Sequence, residues 1–312
     1  HQRYSIRRTL MMQGYLNDDD LDDVEDIIQN RYIVLQKLMR GGMGTLYQSW
    51  DNNLHRMIAI KVVHKSQISA EILACRIQHK NIVTIYDAFE DKEKCYICME
   101  LIQGINLEHI VHKYTKIPWT DLRNYFLQMI QGLAFAHEKN IVHGDIKPGN
   151  FLLETSKILE TQQIITNVKI IDFGLAVCLS DTKKGLQYAT KEFASPEQLA
   201  GQPLTPASDI YSLGKTFLYL LTGKLFPASP MNLKKFISDS SPHQNPVPSS
   251  LYPMIEKMLQ NEPLRRYKNA GQLQPEWENI IKTKDTQLPY WWMILPIVSS
   301  LTILPFLLPS PP

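Results

Sequence analysis

Neither sign of charge prevails in this chain: 33 lysines and arginines face 31 aspartates and glutamates, for a net charge of +2. That balance excludes the electrostatic pull on nucleic acid or on an acidic substrate that a strongly basic surface exerts. Cysteine is scarce, with four in 312 residues. Cys95 and Cys98 make one C-x-x-C, and no second such pair completes a zinc site. The run CYICMELI that holds them reads as a buried strand, in which residues three apart point to opposite faces. Reduced thiols inside a core fit that run better than metal or redox chemistry. Internal repeats and a secretory signal pattern are also missing. What remains, at 44% hydrophobic and 21% charged, is an ordinary globular composition in a chain long enough for one large domain or two lobes.

Charge is absent altogether from Tyr290 to Pro309, YWWMILPIVSSLTILPFLLP. A stretch of that length is expected to form one membrane-spanning helix. Tyr290, Trp291 and Trp292 would sit at the interface, and Lys282 and Lys284 just before them put the preceding domain in the cytoplasm. The competing reading is a hydrophobic tail packed on the globular domain or on a partner. At the other end, residues 1–30 contain NDDDLDDVEDIIQN, an acidic run expected to form a solvated leader.

Between these ends the pattern divides in two. RYIVLQKLM, LYQSWD, MIAIKVV, IVTIYDAFE and KCYICMELI are strand-like, and SAEILACRI among them has helical spacing. From Asn106 onward helices dominate: WTDLRNYFLQMIQGLAFAHEKN, SDIYSLGKTFLYLLTG ending at Gly223, and SLYPMIEKMLQNEP. The expectation is an α+β fold, with a small antiparallel-sheet lobe at residues 31–102 and a larger helical lobe at 103–281. A linker at 282–289 would join it to the hydrophobic segment at 290–309.

Several residues in this frame carry chemistry. Gly41, Gly42 and Gly44 in LMRGGMGTLY let a backbone turn approach phosphate oxygens and offer N–H donors. A glycine-rich hairpin turn without a ligand looks the same. Lys61 ends the apolar run IAIK, and Glu71, ten residues on, supplies a carboxylate to pair with it. In IVHGDIKPGNFLL, Asp145 can take a proton from a hydroxyl, Lys147 can neutralise a transferring phosphoryl group, and Asn150 offers a carbonyl oxygen. Asp172 in KIIDFG adds a carboxylate, and with Asn150 it makes an oxygen pair suited to Mg²⁺.

The order of these elements resembles the eukaryotic-type protein kinases, and most closely the bacterial membrane-anchored Ser/Thr kinases, from about Arg31 to Ile281. The resemblance implies a two-lobed kinase fold that takes ATP and Mg²⁺ and phosphorylates protein Ser or Thr hydroxyls. It implies that Met39, Arg40, Gly41, Gly42, Met43, Gly44 and Leu46 cover the nucleotide, and that Lys61, paired with Glu71, contacts its phosphates. Met99 would be the gatekeeper of the hinge, with Glu100 to Ile102 bonding adenine. Asp145 and Lys147 would be catalytic, and Asn150 and Asp172 would hold the metal. Thr190, Glu197 in the S-P-E segment, Asp209 and Arg266 would brace the catalytic loop and substrate groove. Lys147 and Thr190 match Ser/Thr rather than Tyr kinases. A second copy of the chain is a further partner, because phosphorylation in trans requires two copies to meet.

This sequence also departs from the family. Met39 stands where the first glycine of the loop is usual, and Gly144 where an Arg usually precedes the catalytic Asp. That Arg receives an activation-loop phosphate, so Gly144 predicts activity that needs no such phosphorylation, even if Ser180 or Thr182 is modified. The stretch from Lys61 to its helix is short, and the spacing from His79 points to Ala70 rather than Glu71, a 100° turn away on a helix. ETSKILETQQIITN is an insertion expected to form a surface hairpin. The competing function is a pseudokinase that binds nucleotide as a scaffold. A small-molecule kinase fits less well, because such enzymes usually lack the S-P-E segment.

Overall fold

The computed structural model of the chain describes residues 27–41, 44–64, 77–91, 93–157, 164–173, 177–178, 190–227, 232–240 and 247–282. Most of the acidic leader, Glu71 and the helical run around it, Gly42 and Met43, Ser180 and Thr182, and the segment 290–309 lie outside these residues. Among the described residues no helix is long and apolar enough to cross a membrane.

Six strands form one antiparallel sheet: β1 (Ile27–Ile28), β2 (Tyr32–Gly41), β3 (Gly44–Asp51), β4 (Arg56–His64), β5 (Ile85–Asp91) and β6 (Lys94–Glu100), in the order β1-β2-β3-β4-β6-β5. The sheet begins ahead of Arg31, because Ile27 and Ile28 at the end of the acidic run pair with Ile33 and Tyr32. Ile28 is buried, which draws this pair out of the leader. In β6 the period of two divides the cysteines. Cys95 and Ile97 join the large core that includes the helices, while Tyr96 and Cys98 pack with Tyr32, Tyr47 and Ile60 on the other face. Burial pushes the Cys98 thiol up to about 12, which keeps it protonated and unreactive.

The second lobe contains β7 (Gly104–Asn106), α1 (Leu107–Tyr114), α2 (Trp119–Glu138), β8 (Ile141–Val142), β9 (Phe151–Lys157), β10 (Ile164–Ile170), β11 (Val177–Cys178), α3 (Pro196–Leu199), α4 (Pro206–Thr222), α5 (Leu233–Ser240), α6 (Leu251–Met258) and α7 (Ala270–Ile281). The described ends of the insertion, 154–157 and 164–167, pair with each other, β9 and β10 running from Phe151↔Ile170 to Lys157↔Ile164. β7 adds to the edge of β9, and β11 pairs with β8. The helical lobe therefore carries two small sheets that a purely helical reading from Asn106 onward omits.

An aromatic cluster holds the helices together. The Phe126 ring of α2 lies 4.6 Å from both Phe217 of α4 and Trp277 of α7, and Trp119 lies 5.7 Å from Trp277, in tilted and edge-on arrangements. Trp277 Nε1 donates to the Arg123 carbonyl at 3.0 Å, so the indole is buried without an orphaned N–H. Helix α4 is buried on nearly every side, its polar residues Ser208, Asp209 and Ser212 included. Thr205 and Ser208 form a capping box at its start, Pro206 occupies its first position, and Gly223 closes it at φ 71°. This helix fixes Asp209, in its first turn, against the catalytic loop.

Candidate active site

The connection from β8 to the 3-10 turn Pro148–Asn150 carries Asp145, which is 6% exposed. Asp209 organises this connection from below. It accepts from the backbone N–H of His143 at 2.8 Å and from that of Gly144 at 2.9 Å. Its third donor is His137. The Ala270 N–H points into His137 Nδ1 at 3.1 Å, so the ring proton sits on Nε2, 3.0 Å from Asp209 Oδ2. His143 is fixed by the same logic. Its Nδ1 accepts from Asp145 N–H at 3.2 Å and its Nε2 donates to the Ile171 carbonyl at 3.1 Å.

The Asp145 carboxylate has partners on both oxygens. Oδ2 lies 2.6 Å from Lys147 Nζ and accepts from Asn150 Nδ2 at 3.2 Å. Oδ1 accepts from the Thr190 N–H at 3.3 Å and hydroxyl at 3.2 Å. The Thr190 hydroxyl in turn accepts from Lys147 Nζ at 2.8 Å. Acid, cation and hydroxyl thus form a closed triangle that joins segment 190–199 to the catalytic loop.

Asp172 lies two residues beyond β10 with φ 62°, a left-handed conformation that a non-glycine residue holds only under tertiary constraint. Its Oδ1 lies 2.7 Å from Lys61 Nζ on β4. The Ile171 N–H donates to the Asn150 carbonyl at 2.9 Å, which sets Asn150 beside the approach to Asp172. The Asn150 amide nitrogen is committed to the Asp145 carbonyl at 2.8 Å and to its carboxylate. Its amide oxygen is the atom left for a ligand. A carbonyl-type oxygen and a carboxylate near each other suit a hard divalent cation.

The structure locates the other expected residues as follows. Leu46 pairs with Lys61 across β3 and β4, and Gly41 with Gly44 at the base of the glycine turn. Met39 pairs with Leu46 just beyond a register shift, with Arg40 next to it, and Met39 is 59% exposed. Met99 packs against the main core. The Glu100 N–H donates to the Thr84 carbonyl at 2.9 Å, and its carboxylate pairs with buried Lys169 at 2.8 Å. Ile102 lies in the irregular stretch just after β6 and is half-buried. Arg266 forms a two-pronged pair with Glu197 at 2.7 and 2.8 Å and is itself fully buried. Burial alone would raise the Glu197 carboxyl, but hydrogen bonds from Arg266, its own backbone and Ser208 outweigh it and hold it below the usual carboxylate range.

His137, Lys169 and Gln198 are contacts that motif reading did not single out. The Gln198 Nε2 donates to the Gly144 carbonyl at 2.5 Å. Its only sequence signal is its place directly after Glu197.

Residues 32–278 match the protein kinase domain. A probable serine/threonine-protein kinase of Clostridium acetobutylicum is 31% identical over 274 residues, which is 81% of this chain and 40% of that protein. Serine/threonine-protein kinase PrkC of Bacillus subtilis is 31% identical over 270 residues, 80% of this chain and 40% of its own. Serine/threonine-protein kinase PknA of Mycobacterium tuberculosis is 30% identical over 267 residues, 78% of this chain and 60% of its own. The chain thus spans 40 to 60% of the length of these curated relatives. With the two lobes and the Asp145–Asn150–Asp172 arrangement lying inside the matched stretch, the chain belongs to the protein kinase domain family.

Proposed function

We propose that this chain is a serine/threonine protein kinase that moves the γ-phosphoryl group of ATP to protein hydroxyls. The observation that carries the reading is the triangle of Asp145, Lys147 and Thr190, in which a 6%-exposed carboxylate is held by a cation and a hydroxyl. An acceptor hydroxyl entering beside Asp145 gives its proton to the carboxylate. Lys147 offsets negative charge on the transferring group, and Lys61 does so from the sheet side. Asn150, through its amide oxygen, and Asp172 are the residues that would hold Mg²⁺. Bound Mg²⁺ supplies charge neutralisation on the phosphates. Lys147 and the serine/threonine-kinase names of the relatives support Ser and Thr as acceptors.

The charge-free segment 290–309, with Lys282 and Lys284 before it, supports a single-pass anchor with the kinase domain in the cytoplasm. Extraction of the chain from membranes by alkaline carbonate would refute the anchor. Gly144 supports activity independent of activation-loop phosphorylation, and a second copy remains the natural partner for any phosphorylation in trans.

The 312-residue chain in detergent is incubated with labelled ATP, Mg²⁺ and a basic acceptor protein, beside Asp145→Asn. Transfer lost in that variant is the expected result. Met39 in place of a loop glycine favours a second reading, a nucleotide-binding scaffold. A Mg·ATP-dependent thermal shift without transfer would decide for it.

A further inference from the structure

We propose that Gln198 is a positioning residue for Asp145, through which the acceptor-side segment sets the geometry of the catalytic carboxylate. The inference rests on the kinase reading above and deepens it.

The backbone groups of Gly144 and Asp145 are buried, and each must find a partner. The Gly144 N–H donates to Asp209 Oδ1 at 2.9 Å, and the Gly144 carbonyl accepts from Gln198 Nε2 at 2.5 Å. The Asp145 N–H donates to His143 Nδ1 at 3.2 Å, and the Asp145 carbonyl accepts from Asn150 Nδ2 at 2.8 Å. A side chain closes every one of the four. His143 and Asn150 belong to the catalytic loop itself, and Asp209 to α4. Gln198 alone comes from segment 190–199, the segment that also sets Thr190 against Asp145.

Gly144 makes this tie consequential. It sits at φ 79°, and glycine has no side chain whose packing locks its torsions. Its conformation is held by the bonds at its two ends. Removing the Gln198 amide leaves a buried carbonyl unpaired and frees the peptide plane that leads into Asp145. Gln198 itself is well placed to hold that plane. It is 5% exposed, its N–H lies 3.4 Å from the Ser195 cap oxygen, and its neighbour Glu197 is pinned to Arg266. A donor that merely satisfied a carbonyl would affect stability; a positioning donor affects turnover.

Two variants of the 312-residue chain separate these roles. Gln198→Leu keeps bulk and loses the donor. Gln198→Glu donates to the carbonyl only while its carboxyl is protonated. Transfer to a basic acceptor protein is measured from about pH 5.5 to 8, with kcat and KM resolved for ATP and for the acceptor. Hydrogen–deuterium exchange over residues 141–150 is measured on the same proteins. For Gln198→Leu, kcat is expected to fall by roughly 10- to 100-fold, with the KM for ATP within about twofold of wild type. For Gln198→Glu, activity relative to wild type is expected to recover as the pH falls. Exchange over 141–150 is expected to quicken in Gln198→Leu while that of α4 and α7 stays unchanged. An unchanged kcat in Gln198→Leu, a flat pH ratio in Gln198→Glu, or unaltered exchange over 141–150 would overturn the proposal. A wild-type chain that transfers no phosphate would instead remove the kinase reading, and exchange alone would then decide whether Gln198 holds the loop.

Discussion

Lys61 Nζ lies 2.7 Å from Asp172 Oδ1, joining residues 111 positions apart and linking the sheet lobe to the end of β10. Lys61 therefore holds in place the carboxylate expected to meet a cation. Lys61→Met is expected to lower kcat/KM for ATP by roughly 10²-fold, read from steady-state transfer. A variant within about twofold of wild type would exclude Lys61 from phosphate contact.

Asp145→Asn keeps the shape of the side chain and removes the proton acceptor. Transfer should drop by roughly 10²- to 10⁴-fold, with the thermal shift on adding Mg·ATP retained. A loss of that shift along with activity would point to a damaged loop rather than a missing base.

The Arg266–Glu197 pair is buried, and Arg266 also donates to the carbonyls of Ala207, Gln260 and Asn261. Arg266→Leu leaves a buried carboxylate alone and is expected to cost about 3–5 kcal/mol of unfolding free energy in denaturant titration. The pH dependence follows from the lowered Glu197 carboxyl. Its stabilisation is complete above the unfolded value of about 4.3 and is lost as the pH falls through the lower folded value. Glu197→Gln should flatten that acid limb.

Asp121 behaves in the opposite way. Burial raises its carboxyl to about 6, and Arg123 only partly offsets this. The folded state then holds a proton that the unfolded state, at about 3.9, has released, so this group weakens the fold as the pH rises through that window. Asp121→Asn is expected to add on the order of 1–3 kcal/mol at pH 8 and almost nothing at pH 4. Equal effects at both pH values would assign the change to packing.

Gly144 and Gly223 both hold positive φ, at 79° and 71°. A Cβ on Gly223 would in addition strike the Thr115 carbonyl oxygen. Gly223→Ala should therefore destabilise by clearly more than the roughly 1 kcal/mol that backbone strain alone costs, read by thermal unfolding.

The sequence made the strands of the first lobe legible through their alternation, and the catalytic loop through the fixed spacing of Asp145, Lys147 and Asn150. It also placed the end of α4 at Gly223, because a left-handed cap leaves a residue-specific mark. Other features left no such mark. β7, the edge strand of its sheet, has three residues, too few for a period to show. Lys169 reads as one more lysine until the fold sets Glu100 2.8 Å from it. His137 and Gln198 act through backbone groups 133 and 54 residues away, and a backbone group has no letter in the sequence to pair with.

The convergence on Asp145 has a consequence for how the protein acquires its competence. The ties to its neighbouring peptide span 54 residues from Gln198 and 65 from Asp209, so none closes while the chain has only local order. Loop-closure entropy must be overcome before either bond forms. The active geometry is therefore a late product of assembly, and regain of turnover during refolding reports the consolidation of the whole second lobe rather than of the loop that bears the chemistry.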